Sequence, residues 1–145
     1  MPSPARAEPA VSVNGRVRPL ADAAVRRAVA AVLRGERASA DVSVTFLGRD
    51  AMRRLNAEYK GHDRPTDVIA FPLEGPGGRL VGDVYICPWA AERAARAHGV
   101  SLKQELVRLI IHGTLHVLGW DHPDDDSRVS SPMWRRQERY VARLA

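Results

Sequence analysis

The stretch from Ser101 to Gly119, SLKQELVRLIIHGTLHVLG, constrains the fold more than any other part of the chain. Leu102, Leu106, Leu109, Ile110, Gly113 and Val117 recur at helical spacing. Ser101 and Gln104 form an S-x-x-Q capping box at its start, and Gly119 ends the run. The remaining segments must be arranged around this helix.

Upstream, VSV (11–13) predicts a short strand with a turn at Asn14-Gly15. Apolar residues at 21, 24, 25, 28, 29, 32 and 33 predict a helix over 20–34, with Gly35 where a C-terminal cap belongs. DVSVTFL (41–47) alternates Val42, Val44 and Phe46 with Ser43 and Thr45, the pattern of a strand with one buried face. A short helix runs from a cap at Asp50 through Tyr59 and stops at Gly61. TDVIAF (66–71), bounded by Pro65 and Pro72, and LVGDVYIC (80–87) are strands on either side of the EGPGG loop, placed to form a hairpin. A helix over 89–98 is stopped by Gly99, and a last helix covers 132–144. Residues 1–10 read as a loose tail and 11–145 as a single domain. This order predicts an α/β (α+β) fold: one mixed sheet of about four strands with about five helices.

Composition narrows the setting. No apolar run approaches the roughly 18 residues that span a bilayer, and MPSPARAEPA lacks the apolar core of a secretory signal. The single cysteine, Cys87, has no disulfide partner, which fits a reducing, cytoplasmic setting. A net charge of +5 gives a field that attracts polyanions such as RNA. The basic residues are nearly all Arg, with Lys only at 60 and 103, a bias that codon composition alone also produces.

Chemistry concentrates in HGTLHVLGWDH (112–122). His112 and His116 are four apart, so both imidazoles leave one helix face a turn apart. Gly119 permits the bend after the helix, and His122 lies three residues beyond it. The three can converge on one ion at the C-terminal end of the helix and leave a fourth position open, as catalytic zinc sites do. Zinc suits all-imidazole ligation best; nickel, copper and iron also bind imidazole. Such a metal lowers the pKa of bound water to roughly 7. The spacing is also that of metzincin peptidases, which carry Glu after the first His as general base; here that residue is Gly113. Asp121 is placed either to accept a ligand's ring N–H or to face water. No general base stands out: metal-bound hydroxide needs none, or a bound water or Asp83 serves. Trp120 and Trp134 suit the core or base stacking, and Arg53, Arg54, Arg93, Arg96, Arg135 and Arg136 are candidates for a phosphate track. His62 and His98 read as ordinary loop and helix-end residues.

HGTLHVLGWDH resembles the H-G-x-L-H-x-x-G-x-D-H signature of the YbeY family, bacterial metal-dependent endoribonucleases. LNAEYKGHDRPTDVIAFP (55–72) and LVGDVYIC (80–87) are similar to two further segments of that family in the same order. The resemblance implies one zinc ion held by His112, His116 and His122, with His116 and Lys60 serving catalysis. It implies single-strand-specific cleavage of a ribosomal RNA precursor, in small-subunit 3′-end maturation and ribosome quality control. The small subunit and the GTPase Era are the implied partners. Lys60, Thr66 and Asp67 would contact substrate. The family has Arg where this chain has Lys60, which keeps the charge without the planar fork, and Ser where this chain has Ala70. Two other functions suit the same residues: a metallohydrolase of another class, such as a metzincin-like peptidase, and a ribosome-assembly factor that binds without cutting.

Overall fold

The computed structural model describes residues 10–144. Its elements run β1 (Val11–Asn14), α1 (Asp22–Gly35), β2 (Asp41–Phe46), α2 (Arg49–Lys60), β3 (Val68–Glu74), β4 (Leu80–Ile86), α3 (Pro88–His98), α4 (Leu102–Val117) and α5 (Pro132–Leu144). Short 3-10 turns at Pro76–Gly78 and Asp126–Ser130 complete them. The sheet order is β1-β2-β4-β3. β1, β2 and β4 are parallel, because helices separate them in sequence. β3 pairs antiparallel with β4, from Val68 opposite Ile86 to Glu74 opposite Leu80, because only a tight loop joins them. The expected mixed sheet and hairpin are both present.

Strand alternation sets the two faces. Val42, Val44 and Phe46 of β2, with Val84 and Ile86 of β4, join the main core. Ile69, Phe71 and Tyr85 point the other way, into a smaller cluster with Met52 and Leu55 of α2 and the buried Cys87. The helix begun at Ser101 sits at the centre of the main core. Leu106, Ile110, Ile111 and Leu115 are fully buried, and α4 touches α1, α3, α5, β3 and β4. Ser101 Oγ accepts the Gln104 N–H at 3.0 Å, the serine half of the expected capping box.

Two close approaches lock α4 to the sheet. A Cβ on Gly113 would stand 2.5 Å from Val84 Cγ1, and one on Gly82 would collide with the Val117 side chain. Backbone and side chain therefore interlock at both places, which fixes the height of α4 over β4.

Four local expectations change. α1 continues through Gly35, and the left-handed residue is Arg37 (φ 53°). Gly35 is glycine for a different reason: a Cβ there would run into the Tyr140 phenol. Asp50 does not cap α2, which starts a residue earlier behind Gly48; it lies in the first turn, where its charge complements the helix dipole. β3 starts at Val68 and runs through Pro72, which an edge strand tolerates. Of the tail expected over 1–10, residues 1–9 lie outside the described residues. Ala10 is tied down: its N–H donates to Asp41 Oδ1 at 3.0 Å and its carbonyl accepts the Val42 N–H at 2.9 Å.

Candidate metal centre

The last turns of α4 and the loop after Gly119 (φ 99°) bring His112, His116 and His122 together. The His112 Nε2 lies 3.1 Å from His116 Nε2 and 3.3 Å from His122 Nε2. The other ring nitrogens fix the tautomers. His112 Nδ1 faces Gln137 Oε1 at 2.6 Å, His116 Nδ1 the Trp120 carbonyl at 2.9 Å, and His122 Nδ1 the Pro123 carbonyl at 2.8 Å. Gln137 Nε2 donates to Glu138 at 3.0 Å, so its oxygen is the atom facing His112. Each of these oxygens only accepts, so each Nδ1 carries the proton.

Three bare Nε2 lone pairs are then left pointing into one small space, where they repel unless a cation lies between them. Ligands about 2.0 Å from a tetrahedral ion are about 3.3 Å apart, close to the separations found. Burial, reinforced by His116, holds His112 down at about 4, and burial with His122 lowers His116. Both are therefore neutral at neutral pH, the form a ligand needs. The donor set fits a borderline metal such as zinc.

Gln137 is not evident from the sequence because it lies 25 residues from His112. It is 1% exposed and sits in the buried stripe of α5 with Met133, Tyr140 and Val141. A polar residue in an apolar stripe is the signal that would have found it. A second hidden support reaches His116. Glu36, at the end of α1, accepts from Trp120 Nε1 at 3.1 Å and from the Tyr140 hydroxyl, with Arg136 at 3.5 Å. It thereby anchors the residue whose carbonyl orients His116. Asp121 takes none of the three ring N–H groups; it accepts the backbone N–H of His122 at 2.8 Å and so shapes the loop.

A cleft of about 1200 Å³ opens over the histidines, and Lys60, Thr66 and Asp67 line it. Lys60 ends α2 ahead of the left-handed Gly61, its ammonium 5.8 Å from the centre of the Phe71 ring. Thr66 donates to Asp67 Oδ1 at 3.5 Å, and burial raises the Asp67 carboxyl. His62 and His98 line the cleft without joining the trio. Asp83 sits on β4 out of phase with Gly82 and Val84, which face α4, so it projects to the opposite side of the sheet and cannot serve as base. None of the six arginines expected as a phosphate track lines the cleft; Arg64, Arg108 and Arg128 do. Trp120 packs against the core, whereas Trp134 lines the cleft.

A family model described as Endoribonuclease YbeY matches residues 13–145. The chain belongs to the YbeY family. An Endoribonuclease YbeY from Chlorobium luteolum is 39% identical over 134 residues, covering 90% of this chain and 94% of the relative. Another, from Thermotoga maritima, is 36% identical over 110 residues, covering 76% and 71%. The solution structure of TM1509 from Thermotoga maritima matches with a TM-score of 0.65 at 28% identity, over 92% of this chain and 88% of that one. The YbeY match spans the three histidines, Lys60, Thr66 and Asp67, and also Glu36 and Gln137.

Proposed function

We propose that this chain is a metal-dependent, single-strand-specific endoribonuclease acting in ribosomal RNA processing, with residues 11–145 as its one working domain. The observation that carries the reading is the convergence of three Nε2 atoms whose Nδ1 partners are already satisfied, in a member of the YbeY family. His112, His116 and His122 hold the ion, for which zinc is the proposed identity. When bound, it supplies Lewis-acid polarisation of a phosphoryl oxygen and a water of lowered pKa.

The chain's own residues do the rest. Neutral imidazoles keep the site's charge positive once loaded, and Lys60 offsets charge that builds on the phosphate during cleavage. A compact ammonium does this as a point charge. Thr66 and Asp67 border the strand on the substrate side and position the RNA. Small-subunit 3′-end maturation, ribosome quality control, contact with the small subunit and Era, and a cytoplasmic location follow from the family reading. Among the described residues no helix is long and apolar enough to cross a membrane.

The peptidase reading meets a structural obstacle. The position that would carry its glutamate is Gly113, whose Cβ direction points at Val84 in the sheet, with no room for a side chain. The test incubates purified protein with single-stranded RNA and with casein, with and without a chelator. Chelator-sensitive cleavage of RNA by the parent, abolished in His116→Ala, is expected. Cleavage of casein would favour the peptidase, and RNA or ribosome binding without cleavage the assembly factor.

A further inference from the structure

The proposed RNA cleavage leaves the grip on the substrate backbone largely unassigned. Lys60, at the end of α2, lines the cleft. Arg128 lines the same cleft from the 3-10 turn Asp126–Ser130, which precedes α5. Resting on the endoribonuclease reading, we propose that the Arg128 guanidinium binds a phosphodiester oxyanion of RNA lying across the three histidines, so that the backbone is held between Arg128 and Lys60.

The backbone of Arg128 is held in place. Its N–H donates to the Asp125 carbonyl at 3.1 Å, and its carbonyl accepts from the Ser131 N–H at 3.1 Å and the Ser131 hydroxyl at 2.6 Å. Asp125 is itself committed to Ser127, through the Ser127 N–H at 2.9 Å and the Ser127 hydroxyl. The side chain is the opposite case. Asp124, Asp125 and Asp126 lie close by in sequence, yet among the described residues no hydrogen bond or ion pair engages the guanidinium. Arg108, another arginine of the cleft, is by contrast consumed by Glu105 and Glu138.

The two cations reach the cleft from different elements, Arg128 from the 3-10 turn ahead of α5 and Lys60 from the end of α2. A guanidinium offers the planar pair of N–H groups that matches two phosphate oxygens, which an ammonium cannot do. An RNA backbone contributes what this arrangement lacks: a run of oxyanions spaced along a strand. The acidic stretch 124–126 would repel that strand; Arg128 offsets it at the cleft.

The test compares the parent with Arg128→Ala and Arg128→Lys, using a labelled single-stranded RNA. Binding is read by anisotropy before cleavage sets in, across a salt series, and kcat and KM are read from cleavage. Metal content is measured in each. Because the turn is held by backbone, serine and Asp125 groups, neither substitution removes a contact that builds it. Arg128→Ala is expected to weaken binding by about 10-fold or more. It should also make the slope of log affinity against log salt shallower by about 1. Metal content stays at the parent value, and Arg128→Lys recovers the salt slope but only part of the affinity. Unchanged affinity and salt slope in Arg128→Ala, with RNA still cut, would overturn the clamp and leave the endoribonuclease standing. A parent that neither binds nor cuts RNA would overturn both.

Discussion

Replacing Gln137 by Ala isolates the support of one metal ligand from the ligand itself. The Gln137 oxygen accepts the Nδ1–H of His112 at 2.6 Å; Gln137 is buried and His112 half-buried. Without it, the N–H has no acceptor, a loss of about 1–3 kcal/mol for a buried donor. Imidazole basicity and ring orientation go with it, and removing such an outer partner lowers metal affinity by about 10–100-fold. That range converts to about 1.4–2.8 kcal/mol, in agreement with the cost of the orphaned donor. The assay is a competition titration of zinc against a chromophoric chelator, with Gln137→Glu alongside. Gln137→Ala should bind zinc at least about 10-fold more weakly. Gln137→Glu, which retains an acceptor and adds charge, should bind at least as tightly as the parent. Parent-like zinc affinity in Gln137→Ala would disprove this role, since the ring would then be held by something else.

Glu36→Ala should weaken zinc binding less than Gln137→Ala, because it frees Trp120 and only indirectly His116; the same titration, with tryptophan fluorescence reporting Trp120, checks this. Gly113→Ala should destabilise the fold by about 1–3 kcal/mol through overpacking against Val84, measured by urea unfolding. In metal-free protein His112 titrates at about 4, below its ordinary value of 6.5. Between those values the unfolded chain takes up a proton that the folded chain refuses, so stability should fall as pH drops from 6.5 to 4, a slope readable by unfolding at successive pH values. Lys60→Ala should lower kcat for RNA by about 10-fold or more while leaving metal content unchanged, measured by steady-state cleavage and elemental analysis.

The amino-acid sequence discloses what its periodicities encode locally. The helical spacing after Ser101 places His112 and His116 on one face, and the bend at Gly119 brings His122 in behind them. The alternation in DVSVTF marks the buried face of β2. The supports of the site are hidden because they come from segments remote in sequence. Gln137 meets His112, and Glu36 meets Trp120, only after α5 and α1 pack beside α4. Two glycines mislead or stay mute for the same reason. Gly35 suggests a cap but answers to Tyr140, and Gly113 shows a missing base but not the Val84 side chain that excludes one. The arginine track fails because charge counts carry no direction: Arg136 turns to Glu36, Arg96 to Glu92, and Arg93 lies over Trp89, its guanidinium carbon 4.8 Å from the ring centre.

The function proposed for this chain depends on three imidazoles that hold one ion and leave it a position for solvent or substrate. X-ray absorption at the metal edge of the zinc-loaded protein reads that coordination shell. Three imidazole nitrogens at about 2.0 Å are expected, with one further light scatterer that changes when an RNA analogue binds. A fourth protein ligand unmoved by RNA, or a shell with fewer than three imidazoles, would contradict it.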